Sequence, residues 1–201
     1  MSKKIQYTAT NMARPFWVQE MIVGANLKKE GYSNKEIRQK SYEENIFQAR
    51  SNNAKVKVAS GVISRLNTLD EHLINTLVDC NLETAKQITI YSIMKDDKFF
   101  LDYMNEIYQD KIILKEFKIQ DSDINIFIER KKEQIPEVAA WVDTTVKKLT
   151  SQYRTYLKDA GFINKNKTTI EITKPIIDNN LKNHLIDIGD EIYLRAMIGE
   201  I

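Results

Sequence analysis

Between Asp121 and Ile172 the apolar spacing changes from helical to alternating, and this change constrains the fold more than any other feature of the chain. The pattern predicts a helix over Asp121 to Gln134, ending ahead of Pro136, then a short helical turn. A longer helix follows from Asp143 to Ala160. Val142, Val146, Leu149, Tyr153 and Leu157 recur at spacings of three or four, which makes one buried stripe. The opposite face carries Lys147, Lys148, Ser151, Arg154, Thr155 and Lys158, all able to donate to phosphate oxygens or base edges. Asp143 is placed to cap the free amides at the start of this helix. Gly161 supplies the left-handed residue that stops it, and Phe162 and Ile163 turn back to the core. Residues 164–167, with Lys165 and Lys167, form the tip of a hairpin whose returning strand is the β-branched run Thr168 to Ile172. This is the outline of a winged helix-turn-helix, and it points toward nucleic acid. From Thr144 to Lys174 seven Lys or Arg face two acids, Asp159 and Glu171.

The rest of the chain reads as helices. Six Gly and three Pro in 201 residues, with no low-complexity run and no fixed-period repeat, imply a mainly α protein built as compact helical bundles. Pro15 suits the first turn of a helix running to Lys29, and Ser33 with Glu36 forms the capping box of a short helix reaching Tyr42. Ser51 caps another helix that reaches Leu66. These two helices make a second helix-turn-helix-like pair, in which Arg38, Lys55 and Lys57 are the candidate phosphate contacts. Gly61 inside the second of them permits close approach of a neighbour. Helices are also expected over Asp70 to Val78, Leu82 to Met94 and Asp96 to Tyr108. Ile112 to Gln120 is read as an extended link, Ile176 to Ile188 as a helix closed by Gly189, and Tyr193 to Ile201 as a tail. The natural division is a helical lobe over 1–115 and a winged lobe over 116–201.

Charge is unevenly spread behind a net +2. Residues 1–70 hold twelve basic and six acidic side chains, 71–140 nine and fourteen, and 141–201 nine and eight. The single cysteine, Cys80, cannot form an intramolecular bridge, no signal peptide opens the chain, and the longest uncharged run is Ile5 to Ala13, so a cytoplasmic protein is expected.

Catalytic motifs are absent. His72 and His184 are isolated, one cysteine cannot complete a Cys/His zinc site, and no phosphate-loop, dinucleotide or nucleophile-elbow glycine pattern occurs. Asp96, Asp97 and Asp102, or Asp121 and Asp123, have the composition of a magnesium site, but Asp96 and Asp121 read first as helix caps. No catalytic residue, metal or cofactor is therefore expected.

Several strings, in order, resemble the BrxA family of BREX bacteriophage-exclusion systems: Arg14-Pro15-Phe16 with Glu20, Glu43-Glu44-Asn45-Ile46-Phe47-Gln48, Arg65-Leu66 with Leu69, Ala85-Lys86-Gln87-Ile88 through Tyr91 and Met94-Lys95, Trp141 with Thr145-Val146-Lys147-Lys148, and Leu157 to Phe162. The resemblance spans nearly the whole chain. It implies a bacterial, non-catalytic, mainly helical protein, similar in part to the antitermination factor NusB, that binds nucleic acid, duplex DNA foremost, and acts beside other BREX proteins in phage defence. Two other readings remain open. One is a protein-interaction adaptor docking through the acidic middle or the aromatics Phe99, Phe100 and Tyr103. The other is a NusB-like RNA binder.

Overall fold

A computed structural model describes residues 7–165 and 170–200, and is mainly helical with one small sheet. It divides into two compact units, Phe16–Asp96 and the pair Met1–Pro15 with Asp97–Ile201. The stretch from Asp97 to residue 115, assigned from sequence to the N-terminal lobe, groups with the C-terminal residues because its aromatic side chains pack there.

The first unit is five helices, α1 (Val18–Lys29), α2 (Asn34–Glu43), α3 (Asn52–Leu66), α4 (Glu71–Asp79) and α5 (Leu82–Asp96). Caps set most of their starts. Ser33 and Glu36 close the expected capping box on α2, and Ser51 and Asp70 accept from Ala54 N and Leu73 N at the heads of α3 and α4. Helix α1 begins three residues after Pro15, because Trp17 adopts a left-handed conformation (φ 61°) before it. That turn is held from α3. The buried Arg65 guanidinium donates to Phe16 O at 2.6 Å and lies 5.3 Å from the Trp17 ring. The indole then covers Gly61, where a Cβ would stand 2.3 Å from a ring carbon. The missing side chain is thus the space the tryptophan occupies.

In the second unit, α6 (Lys98–Tyr103), a π-helical turn (Met104–Gln109) and α7 (Asp110–Ile113) run on as one helix. Its aromatics Phe99, Phe100, Tyr103 and Tyr108 are fully buried. Next come β1 (Lys118–Ile119), α8 (Asp121–Gln134), α9 (Pro136–Ala139), α10 (Asp143–Asp159), the strands β2 (Ile163–Lys165) and β3 (Ile170–Ile172), α11 (Asn179–Asp187) and α12 (Glu191–Ile198). The sheet is antiparallel in the order β1-β3-β2, with Lys118 opposite Glu171 and Ile163 opposite Ile172.

Some local expectations change. The cap of α6 is Asp97, not Asp96, and the supposed extended link is helical as far as Ile113 and contributes only the two residues of β1. The expected C-terminal tail is a helix, α12, with Tyr193, Leu194, Ala196 and Met197 buried. Gly161 does end α10 with a positive φ of 80°. No helix among the described residues is long and apolar enough to cross a membrane.

Gly61→Ala should destabilise the protein by about 1–3 kcal/mol, despite alanine's better helix propensity, because the buried indole has nowhere to retreat. Urea titration followed by tryptophan fluorescence would measure it. An unchanged midpoint would show that the ring moves freely.

Candidate nucleic-acid interface

The residues that shape this surface run from α8 to β3. Ile135 leaves helical geometry ahead of Pro136, which becomes the first residue of the single-turn α9. Three residues separate it from α10. Its N-cap is Val142, which makes no side-chain cap, while the Asp143 carboxylate accepts from Lys132 Nζ at 2.9 Å. The Lys132 ammonium holds the Asp143 carboxyl below its usual range. Asp143 therefore joins α8 to α10 and does not act as the expected cap.

Helix α10 buries Val146, Leu149, Thr150, Tyr153, Tyr156 and Leu157, whereas Val142 is exposed and lies outside the stripe. Lys147, Lys148, Ser151, Thr155 and Lys158 are all exposed on the other side. The Thr155 hydroxyl donates to Ser151 O at 3.1 Å, so it turns back on its own helix. Arg154 differs from its neighbours. Its side chain is 23% exposed, and its guanidinium is ion-paired to the Asp121 carboxylate at the start of α8. Beneath it lies the buried Tyr103 hydroxyl, whose pKa burial pushes up to about 12 despite the guanidinium beside it.

After Gly161 the chain enters β2 with Phe162, Ile163, Ile170 and Ile172 buried. Lys165 ends β2, and Lys165↔Ile170 is the last described pair of the hairpin. The side chain of Lys165, and Lys167 with the rest of 166–169, lie outside the described residues.

The other three candidates belong to the first unit. Lys57 is exposed on α3 and Arg38 on α2, where its guanidinium donates to Asn34 O at 3.5 Å. Lys55 is half-buried, donating to Tyr42 O at 2.9 Å and lying over the Tyr42 ring, so it ties α3 to α2. Of these, Arg38 and Lys57 present free-standing charge to solvent.

Acidic residues read as possible metal ligands have other partners. Asp96 accepts from the Ser64 hydroxyl, Asp123 accepts from Gln120 N at the head of α8, and Asp97 and Asp102 are buried in a hydrogen-bonded network. No group of three His, Cys, Asp or Glu among the described residues is placed to hold a metal ion. The adaptor reading loses its aromatic anchor too, since Phe99, Phe100 and Tyr103 have no exposed surface. Sequence reasoning did not find the pairing of Asp121 with Arg154, because 33 residues separate the two and neither position signals the other.

A model of the BrxA family matches residues 5–189. The chain belongs to the BrxA family. It is 36% identical to a BREX protein BrxA of Bacillus cereus over all of both chains. A second BREX protein BrxA, from Escherichia coli O9:H4, is 24% identical over 59% of this chain and 56% of its own. The fold is similar to the crystal structure of an uncharacterized protein from Magnetospirillum magneticum, with a TM-score of 0.82 over 96% of this chain and 99% of that one at 19% identity. In this member of the BrxA family a buried charge network joins α6 to α8. Asp102 accepts from Lys98, from Lys131 at 2.6 Å and from the Tyr7 hydroxyl at 2.7 Å, and Lys131 also meets Glu106.

Burial opposes the charge on Asp102, but Lys131, Lys98 and Tyr7 outweigh it and hold its pKa below the usual carboxylate value. A carboxyl lowered in the folded state stabilises the protein above its unfolded pKa, and that contribution is lost as pH falls through the folded value. Asp102→Asn should therefore cost about 3 kcal/mol at neutral pH, with the gap to wild type closing below about pH 4. Urea midpoints at pH 7, 5 and 3 would test this, and a gap independent of pH would remove Asp102 as the titrating group.

Proposed function

We propose that this protein is a non-catalytic, nucleic-acid-binding accessory protein of a bacterial BREX phage-defence system, acting in the cytoplasm beside other BREX proteins and seating duplex DNA on α10. The observation that carries the reading is the exposed row Lys147, Lys148, Ser151 and Lys158, backed by a buried stripe and followed by a hairpin. Helix α8, the turn at α9, helix α10 and a sheet ordered β1-β3-β2 are the parts of a winged helix-turn-helix, in which the second helix meets the major groove and the hairpin is the wing. Lys165 and Lys167 would serve as wing contacts. Family membership and the BREX name carried by the relatives supply the biological setting.

The mechanism is electrostatic. Lysine ammonium groups neutralise phosphates and release condensed counterions, which favours binding without regard to sequence. Base readout rests mainly on forked Arg, Asn and Gln side chains, and the exposed row on α10 contains none. Arg154 is the one arginine on the helix, and Asp121 already holds it. Sequence-tolerant binding follows. Arg38, Lys55 and Lys57 form a secondary basic region, with Lys55 the least available of the three.

Fluorescence anisotropy of a labelled duplex, with matched RNA as competitor, should give an affinity that falls steeply between about 50 and 200 mM salt, roughly 0.9 log units per log unit of salt for each phosphate contacted. Lys147→Glu with Lys148→Glu should weaken binding by about 10-fold or more across sequences and flatten the salt slope by about two contacts, without changing the melt. Unchanged affinity in the folded double variant would move the site to α2 and α3. Stronger competition by RNA would replace DNA as the ligand.

A further inference from the structure

We propose that Asp121 is an internal competitor for DNA phosphate, holding Arg154 as a latent contact and thereby limiting the affinity of α10. The inference rests on the reading of α10 as the binding helix. Lys147, Ser151, Arg154 and Lys158 follow one another at spacings of three and four, so the partly buried Arg154 lies between exposed residues of the row offered to the duplex. Among the described residues, its guanidinium is the one charge in that row held in an ion pair, by the Asp121 carboxylate. The two partners are unequally placed. Asp121 is 82% exposed and Arg154 23%, so the carboxylate is the outer member of the pair and occupies the side from which a phosphate oxygen would arrive.

A structural role for Asp121 as the cap of α8 does not account for it. The N-cap is Gln120, and its backbone N–H donates to the Asp123 carboxylate at 2.7 Å. Asp121 is thus left with the guanidinium as its described partner. An ion pair exposed on one side is weak and screened by salt, whereas a duplex presents a dense line of phosphates, so exchange of one anion for the other is feasible. Exchange has two consequences. Arg154 gains a phosphate, to which its planar fork is better suited than an ammonium, and the displaced carboxylate is left repelling the duplex. The resting pair therefore lowers affinity twice over, and removing the carboxylate should relieve both effects.

The test is a cycle of Asp121→Asn, Arg154→Ala and the double variant, each checked by thermal melt and titrated with a labelled duplex across salt. Asp121→Asn should tighten binding by about 5- to 10-fold at 100 mM salt and steepen the salt slope by about one contact. Arg154→Ala alone should change affinity by less than about 2-fold, and in that background Asp121→Asn should lose most of its gain. An equal gain with and without Arg154 would reduce the effect to bulk charge and overturn the proposal, as would unchanged or weaker binding by folded Asp121→Asn. The parent reading fails separately. If Lys147→Glu with Lys148→Glu leaves binding intact, α10 is not the interface. If that pair abolishes binding while Asp121→Asn does nothing, only the competitor is lost.

Discussion

The Asp97 carboxylate, 2% exposed, meets three segments that are far apart in sequence. One oxygen accepts from Phe100 N at 3.0 Å and caps α6, while the other accepts from Asn11 Nδ2 and from the Tyr153 hydroxyl, each at 2.9 Å. A buried charge is tolerable only when its lone pairs are met, so these three donors must arrive together. Tyr153 is the residue that matters most for function. Fixing its hydroxyl against Asp97 fixes the rotation of α10 about its axis, and that rotation decides which residues of the helix face outward. Tyr156 repeats the constraint from the next turn, donating to Arg14 O at 2.6 Å, while the Phe100 ring packs against both tyrosines. The exposed lysines are thus positioned by what lies on the opposite side of their own helix.

Five residues along, Asp102 extends the network to Lys98, Lys131 and Tyr7, and Lys131 and Arg130 both reach Glu106. Aromatic rings fill the space between, with Phe99 edge-on to Trp141 at 5.1 Å and Tyr103 perpendicular to Phe127 at 5.9 Å. These rings are apolar at helical spacing, which is why they could be read as core from sequence. The carboxylates among them could not.

The legible parts were those decided within a few residues. The capping box of Ser33 and Glu36, the bounds of α8, the stop at Gly161 and the alternation that becomes β3 all follow from local rules, and each is found in the structure. Choices between equivalent neighbours were not legible. Asp96 and Asp97 are identical as capping residues, and only the extended backbone of Asp97 (φ −131°, ψ 101°) selects it. Asp121 offers the same lesson, since with the cap one residue earlier, at Gln120, its side chain does not cap α8 and meets Arg154 instead. The left-handed Trp17 carries no local sign because the guanidinium that holds its turn comes from Arg65, almost fifty residues on. Helix α12 was missed for a related reason. Its apolar residues pack against the π-helical turn at Met104–Gln109, and a short segment without a strong cap acquires its helicity from such packing.

Charge shows most sharply how far sequence carries the argument. Counting Lys and Arg ranks α8 as basic at its C-terminal end, through Arg130, Lys131 and Lys132, yet each of these is bonded to at least one acid: Glu106, Asp102 with Glu106, and Glu129 with Asp143. On α10, Lys147, Lys148 and Lys158 are all exposed, and Lys148 and Lys158 are in no ion pair among the described residues. A phosphate responds to the field that remains after internal neutralisation, and at a Debye length of about 8 Å a cation with a carboxylate at hydrogen-bond distance contributes little of it. Two helices with similar counts of basic residues therefore differ as surfaces. What favours α10 is that several of the acids packed near it already meet other cations, Asp123 with Lys111, Asp102 with Lys131 and Asp143 with Lys132, and this depends on tertiary pairing that no count of residues reveals.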